Sequence, residues 1–474
     1  MVLWLMIVML GISSLSADNH SPSNEFIFSA DLKLSTEEKR VDSCLNGMRK
    51  ELLSRKGKNW TFFNSFIRCR QEIQQEKLYQ IFKMMPKGGL LHIHELAIGD
   101  VQWILDRAFS IPECWIYWDE DSDSTALGQL AFFLNQPIPP GWFSIRELSL
   151  LNPELRKELY RLYTIGPEDE EQPNLRAELV RIEQRIERFI SYRPVFIDYF
   201  QSGLEALAMD GIQLVELRTT LDPVLNEDGS YIRDESIVKL YQTIAANVNQ
   251  SFPLFDFRLI VCAERKSSLE EVRRQVEKSN HLKSLFPEMI VGFDLIGNED
   301  HEPRTIFFTP ALEMGRIPFF LHGGETGAAD NNNVRDALVF NAHRISHALN
   351  LYYFPGLEKR LIQYQTLLEL CPVSNLALHY VRDLRFHPAS GYLQRGVQAT
   401  LGSDYPAFFQ SRGLTDDYFV VYLAWGLDLR SLKKLMENSI TNSGLPWSYR
   451  NHHLRLFRQN WMDFIHLINQ LSSK

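Results

Sequence analysis

A (β/α)8 barrel of the TIM type is the fold this 474-residue sequence predicts: an α/β architecture with an N-terminal helical region and an insertion after the first strand. Three observations carry the expectation. Beyond residue 195, helical stretches alternate with short apolar segments at 211–218, 257–262, 289–295, 319–321, 344–347, 367–371 and 399–402. Such alternation calls for a parallel sheet. With Leu90-Leu91-His92-Ile93-His94 as a first strand the count approaches eight, the number that closes a barrel. Polar residues also gather at the C-terminal ends of these segments, where barrel active sites are built. Periodicity alone leaves an open, doubly wound sheet as the competing arrangement.

Taken in order, the chain opens on an apolar run at residues 2–12 that is too short to span a bilayer. The small residues Ser13-Ser14-Leu15-Ser16-Ala17 follow. This pattern predicts a signal peptide over residues 1–17 and a secreted, extracellular mature chain; a buried N-terminal strand or helix is the plainer alternative. Sequons at Asn19, Asn59 and Asn249 are compatible with secretion. Residues 18–80 are charged and helix-prone, and Ser35-Thr36-Glu37-Glu38 is a capping box ahead of Val41, Cys44, Leu45 and Met48 at helical spacing. A Pro86-Lys87-Gly88-Gly89 turn then leads into the first strand of a barrel over residues 81–474. Residues 105–175 interrupt the cycle with breakers and a polar linker, so they are expected to form an insertion.

Bulk composition narrows the function. Apolar residues make up 45% and charged residues 23%, which excludes disorder. A formal charge of −9 gives no basic surface for nucleic acid. Five cysteines without a CxxC exclude a disulfide scaffold. No stretch after the first reaches eighteen apolar residues, so no membrane span is expected.

Four segments carry chemistry. His92-Ile93-His94 alternates on a strand, so both imidazoles share one face, as metal ligands or as a hydrogen-bonded polar pair. His94-Glu95 does not continue into a zincin motif, because Ile98 stands where the second His is needed. His322-Gly323-Gly324-Glu325, Ser346-His347 and Ser403-Asp404 each end an apolar segment. Singly, each also reads as a capping or turn residue. Together they place three histidines and an aspartate around one barrel mouth with a spare glutamate and histidine, a set suited to zinc and to proton transfer from its water.

These segments resemble, in order, those of the adenosine deaminases. The motifs are Met85-Pro-Lys-Gly-Gly-Leu-Leu-His-Ile-His94, Val215-Glu-Leu-Arg218, Val291-Gly-Phe-Asp-Leu-Ile-Gly-Asn-Glu299, His322-Gly-Gly-Glu-Thr326, Arg344-Ile-Ser-His347, Cys371-Pro-Val-Ser-Asn375 and Gly402-Ser-Asp-Tyr-Pro406. The N-terminal region, leader and insertion look like those of the secreted adenosine deaminase-related growth factors. The resemblance implies a zinc-dependent hydrolytic deaminase that converts adenosine or 2′-deoxyadenosine to inosine and ammonia. It implies His92, His94, His322 and Asp404 as zinc ligands, Glu325 as the acid at purine N1, and His347 as the residue that orients the attacking hydroxide. Gly297 would present its backbone N–H to purine N3. It further implies a homodimer through the N-terminal region and a cell-surface receptor or glycan as partner. The H-x-E and P-C-x-x-C pattern of cytidine-type deaminases is absent.

The sequence departs from the family at four places. Tyr405 stands where an aspartate donates to purine N7, and Glu95 stands where a shorter aspartate is expected near the ribose. The insertion's disulfide looks lost, since Cys114 is the only cysteine between Cys69 and Cys262. Arg176-Ala-Glu-Leu179 aligns with the family's Trp-x-x-Phe near the nucleoside. These departures keep a second reading open: a catalytically impaired, zinc-retaining relative that acts as a growth-factor-like or nucleoside-binding protein.

Overall fold

Eight parallel strands form the ring that carries the site: β1 (Gly88–His94), β2 (Ile212–Thr219), β3 (Asp256–Glu264), β4 (Ile290–Ile296), β5 (Phe320–Gly323), β6 (Arg344–His347), β7 (Leu367–Leu370) and β8 (Ala399–Leu401). The computed structural model describes residues 26–119, 125–172, 174–411 and 413–472. The proposed leader and the Asn19 sequon lie outside them. Strands β1 to β4 pair in order, as do β5 to β8. Two seams join these halves into a barrel. At one, Phe293 pairs with Phe319 and its N–H donates to the Pro318 carbonyl at 2.9 Å; at the other, Ile93 pairs with Asp404 and the His94 N–H donates to the Asp404 carbonyl at 3.0 Å. The closed barrel, not the open sheet, is the arrangement found.

The strands are short apolar runs because both faces are covered, by the barrel interior inside and by helices outside. Residues of the N-terminal helices belong to the same hydrophobic core as the barrel. Helix α1 (Thr36–Lys56) starts at the capping box, with the Ser35 N–H donating to Glu38 Oε2 at 2.7 Å and the Glu38 N–H donating to Ser35 Oγ at 3.2 Å. The Glu38 carboxylate also accepts from Trp461 Nε1 at 2.8 Å and Lys433 Nζ at 2.7 Å, which ties the cap to the C-terminal helices. The apolar stripe Val41, Leu45 and Leu52 is therefore spent within this chain. Helices α2 (Phe66–Ile73) and α3 (Lys77–Met84) follow, and Tyr79 and Phe82 pack edge-on against Phe419 at 5.2 and 5.5 Å.

Between β1 and β2 the chain forms a three-stranded antiparallel sheet (Trp115–Tyr117, Leu130–Ala131, Trp142–Ser144) and several helices. Cys114 is a buried free thiol there. The helix Leu175–Ile190 brings Arg176 and Glu183 to the C-terminal mouth of the barrel.

Candidate active site

Alternation along β1 turns His92 and His94 to the barrel interior with Ile93 between them, and both imidazoles are buried. His322 lies within β5 and Asp404 just beyond β8, so strands from both sides of the ring deliver all four groups to one point. His92 Nε2 and His94 Nε2 lie 3.3 and 3.4 Å from Asp404 Oδ1. The ligand atoms of His92, His94 and His322 fall within 4.8 Å of one another. Buried His92 Nε2 and Asp404 Oδ1 make no hydrogen bond, a costly state unless a cation lies between them.

The far sides of these imidazoles are engaged. His92 Nδ1 meets Glu369 Oε2 at 3.0 Å, and His322 Nδ1 meets Asp294 Oδ2 at 2.7 Å. A carboxylate on Nδ1 fixes the tautomer that leaves Nε2 for a metal. Burial, opposed by Asp404 and aided by the other imidazoles, holds His94 well below the ordinary histidine range and hence neutral, as a ligand must be. Burial works against the charge on Asp404, but the close His92, His347 and His94 imidazoles outweigh it and hold the carboxyl well below the usual range. Cys371 also comes within reach, grouped with His92, His347 and Asp404. Burial and the nearby carboxylates push its thiol well up, so the nitrogen and oxygen set is the better cradle. These residues fit a metal with nitrogen and oxygen preferences.

Sequence reasoning assigns no role to the groups that brace this set. Buried Arg218 donates to Asp294 at 2.7 Å, Glu369 at 2.7 Å and the Leu91 carbonyl at 2.7 Å. Arg344 donates to Glu369 and to Glu216, each at 2.5 Å. Ser374 Oγ donates to Asp404 Oδ2 at 2.6 Å. Charged residues in the middle of apolar strands were the available signal; their pairing needed the topology. Backbone strain marks the same place: His347 has φ 66° and Asp404 φ 61°, both left-handed, a conformation costing about 1–3 kcal/mol per residue. Gly402 permits the closeness, since a Cβ there would come within 2.6 Å of His92 Cβ.

His347 closes the group, its ring centroid 5.0 Å from His92 and 5.2 Å from His322. Glu325 lies on the turn after β5, braced by Glu299, which accepts from the Gly324 N–H at 2.8 Å and the Glu325 N–H at 3.3 Å. Its carboxylate is covered by Arg176, whose Nη1 donates to it at 3.1 Å. Burial pushes Glu325 up to about 7, with Arg176 pulling the other way. Gly297 follows β4 with φ 131°, and a Cβ there would run into the Glu302 carboxylate.

A cavity of about 510 Å³ adjoins this cluster, with His94, Glu95, Glu183 and Asp222 among its walls. Glu95 turns to the end of β2, accepting from the Thr220 N–H at 3.1 Å and from Tyr241 OH at 3.2 Å. Burial, then Asp222, pushes it up to about 7. Tyr405 is buried, its ring stacked on His94 at 4.4 Å and 4° and its hydroxyl near the Glu183 carboxylate. The phenol thus lies flat on the His94 ring.

Comparison with known proteins adds a lineage to this geometry. The family model described as Adenosine deaminase matches residues 199–456. Adenosine deaminase 2 of Sus scrofa is 28% identical over 92% of this chain and 90% of its own length. Adenosine deaminase 2 of Homo sapiens is 29% identical over 84% of this chain and 82% of its own length. Among solved structures, an amidohydrolase from Burkhoderia ambifaria with bound Zn superposes with a TM-score of 0.61 at 16% identity, covering 84% of this chain and 95% of that one. The N6-methyl-AMP deaminase of Arabidopsis thaliana gives 0.56 at 16% identity, covering 80% and 98%.

Proposed function

We propose, from the premise that this chain belongs to the adenosine deaminase family, that it is a secreted, zinc-dependent hydrolytic deaminase converting adenosine or 2′-deoxyadenosine to inosine and ammonia. The observation that carries the reading is the convergence of His92, His94, His322 and Asp404, two of the imidazoles anchored by carboxylates, beside Glu325 and His347. Zinc bound there supplies Lewis-acid activation of water. Glu325, protonated, donates to purine N1 and draws electron density from C6. His347 orients the reacting oxygen on the opposite face. The Gly297 N–H steadies N3, and Glu95 and the acidic cavity wall face the ribose. Burial excludes bulk water and strengthens each of these contacts.

One expectation is one zinc per chain. Elemental analysis should give stoichiometric zinc for the natural protein and a loss in the His92→Ala, His322→Ala double variant. Chelation should lower Tm, because a metal that binds only the folded chain stabilises it. Unchanged zinc in the double variant would remove these residues from the site.

Two observations favour a weak enzyme, or the growth-factor-like reading. Arg176 holds the carboxylate that must meet N1, and Tyr405 is flattened on His94 where the family has a donor to N7. The sequons at Asn59 and Asn249 are exposed, which supports a glycosylated extracellular protein. We retain the homodimer through residues 25–80, although the apolar stripe of α1 is occupied by this chain's own helices and so does not by itself call for a second copy. Sedimentation at micromolar concentration should show a dimer, as a C2 pair. A monomer there would end that part of the reading.

A further inference from the structure

His347 does not hang freely in the site; a chain of hydrogen bonds runs away from it. Its Nδ1 faces Asn375 Nδ2 at 3.4 Å, and Asn375 Oδ1 faces His387 Nε2 at 3.2 Å. The far end is a fixed donor: the backbone N–H of Ala389 points at His387 Nδ1, 3.2 Å away. Asn375 and His387 are both buried, on the short helix Pro372–Ala377 after β7 and at the head of the helix Pro388–Gln394.

The directions follow from that fixed donor. A backbone N–H can only donate, so His387 Nδ1 accepts and the proton of the neutral ring is on Nε2. Burial pushes His387 down to about 3, so the ring is neutral. His387 Nε2–H must find an acceptor, and this sets the Asn375 amide with its oxygen toward His387. The Asn375 NH2 then donates to His347 Nδ1. An imidazole that accepts at Nδ1 carries its proton on Nε2. His347 Nε2 is the buried atom left with no hydrogen-bond partner, in a ring packed against His92 and His322.

We propose that Asn375 and His387 are positioning residues that lock His347 as the Nε2–H tautomer, so that it meets the reacting oxygen as a hydrogen-bond donor and not as an acceptor. This rests on the deaminase reading for its consequence, but not for the tautomer itself. A donor at this point holds the oxygen's hydrogen outward and leaves a lone pair for C6.

The test is Asn375→Asp in the zinc-loaded full chain. Aspartate keeps the shape and still accepts from His387, but toward His347 it can only accept, so the proton moves to Nδ1. Ring 15N shifts, assigned with His347→Asn, should report Nε2–H in the natural protein and Nδ1–H in the variant. For adenosine, kcat should fall about 10²-fold or more with KM and zinc content nearly unchanged, as expected for a mis-set tautomer. His387→Gln, which loosens the amide orientation, should fall between the two. An Nδ1–H signature in the natural protein, an unmoved tautomer in Asn375→Asp, or a moved tautomer with kcat intact would each overturn the proposal. If adenosine proves not to be a substrate, the nitrogen shifts alone decide it.

Discussion

Replacing Glu325 by glutamine should lower kcat/KM for adenosine by about 10³-fold while zinc content and Tm stay close to those of the natural protein. A positioned general acid typically contributes about 10²–10⁴-fold. Glutamine keeps the volume and can donate a hydrogen bond but cannot give up a proton. The carboxyl is well prepared for its task, since burial pushes it up to about 7, where the acid form is available near neutral pH. The sign of the pH dependence follows. The protonated form donates to N1, so kcat/KM should decline as pH rises through that value. Arg176 favours the carboxylate, so Arg176→Gln should move the decline to higher pH and raise kcat/KM at neutral pH. A kcat/KM decline that stays in place would show that Arg176 does not set the protonation of Glu325 in the free enzyme. Glu325→Gln with near-natural activity would exclude Glu325 as the acid.

Exchanging Tyr405 for aspartate should raise kcat/KM for adenosine by roughly 10²–10³-fold, the value of a well-placed hydrogen bond to the transition state. The phenol lies parallel to His94 at 4.4 Å and to Phe408 at 5.8 Å, with its hydroxyl near the Glu183 carboxylate. In that pose it fills space and offers nothing to a purine nitrogen. Aspartate would clear the face of His94 and restore an N7 partner. The cost is a hole beside His94, so zinc content must be measured alongside the rate. If the natural protein is already fast and Tyr405→Asp slows it with zinc intact, the phenol is an adapted part of the pocket. If both forms hold zinc and neither turns over adenosine, the growth-factor-like reading is the better one.

Much of this architecture was legible because barrel strands are short, apolar and bounded by turns, and because reactive groups sit at their ends. His322, His347 and Asp404 each interrupt an apolar run at its close, which pure packing would not select. The bracing groups were less legible. Asp294 on β4 serves His322 on the adjacent β5, while Glu369 on β7 reaches His92 on β1 only because the ring closes through β8. Arg176 was found by a loose alignment, yet its grip on Glu325 depends on how the inserted helix folds back over the mouth. Local sequence carries no record of that path. The stripe on α1 misleads in the opposite direction: its spacing announces a buried face but not whether the covering surface belongs to this chain or to another.

The central claim is tested most directly by incubating the purified, zinc-loaded full chain with adenosine and with 2′-deoxyadenosine. Ammonia and the deaminated nucleoside are then measured together, with Glu325→Gln as the blank. The account predicts the two products in equal amounts, at a rate clearly above the blank and lost on chelation. Stoichiometric zinc with no release of either product above the blank, from either nucleoside, would contradict it.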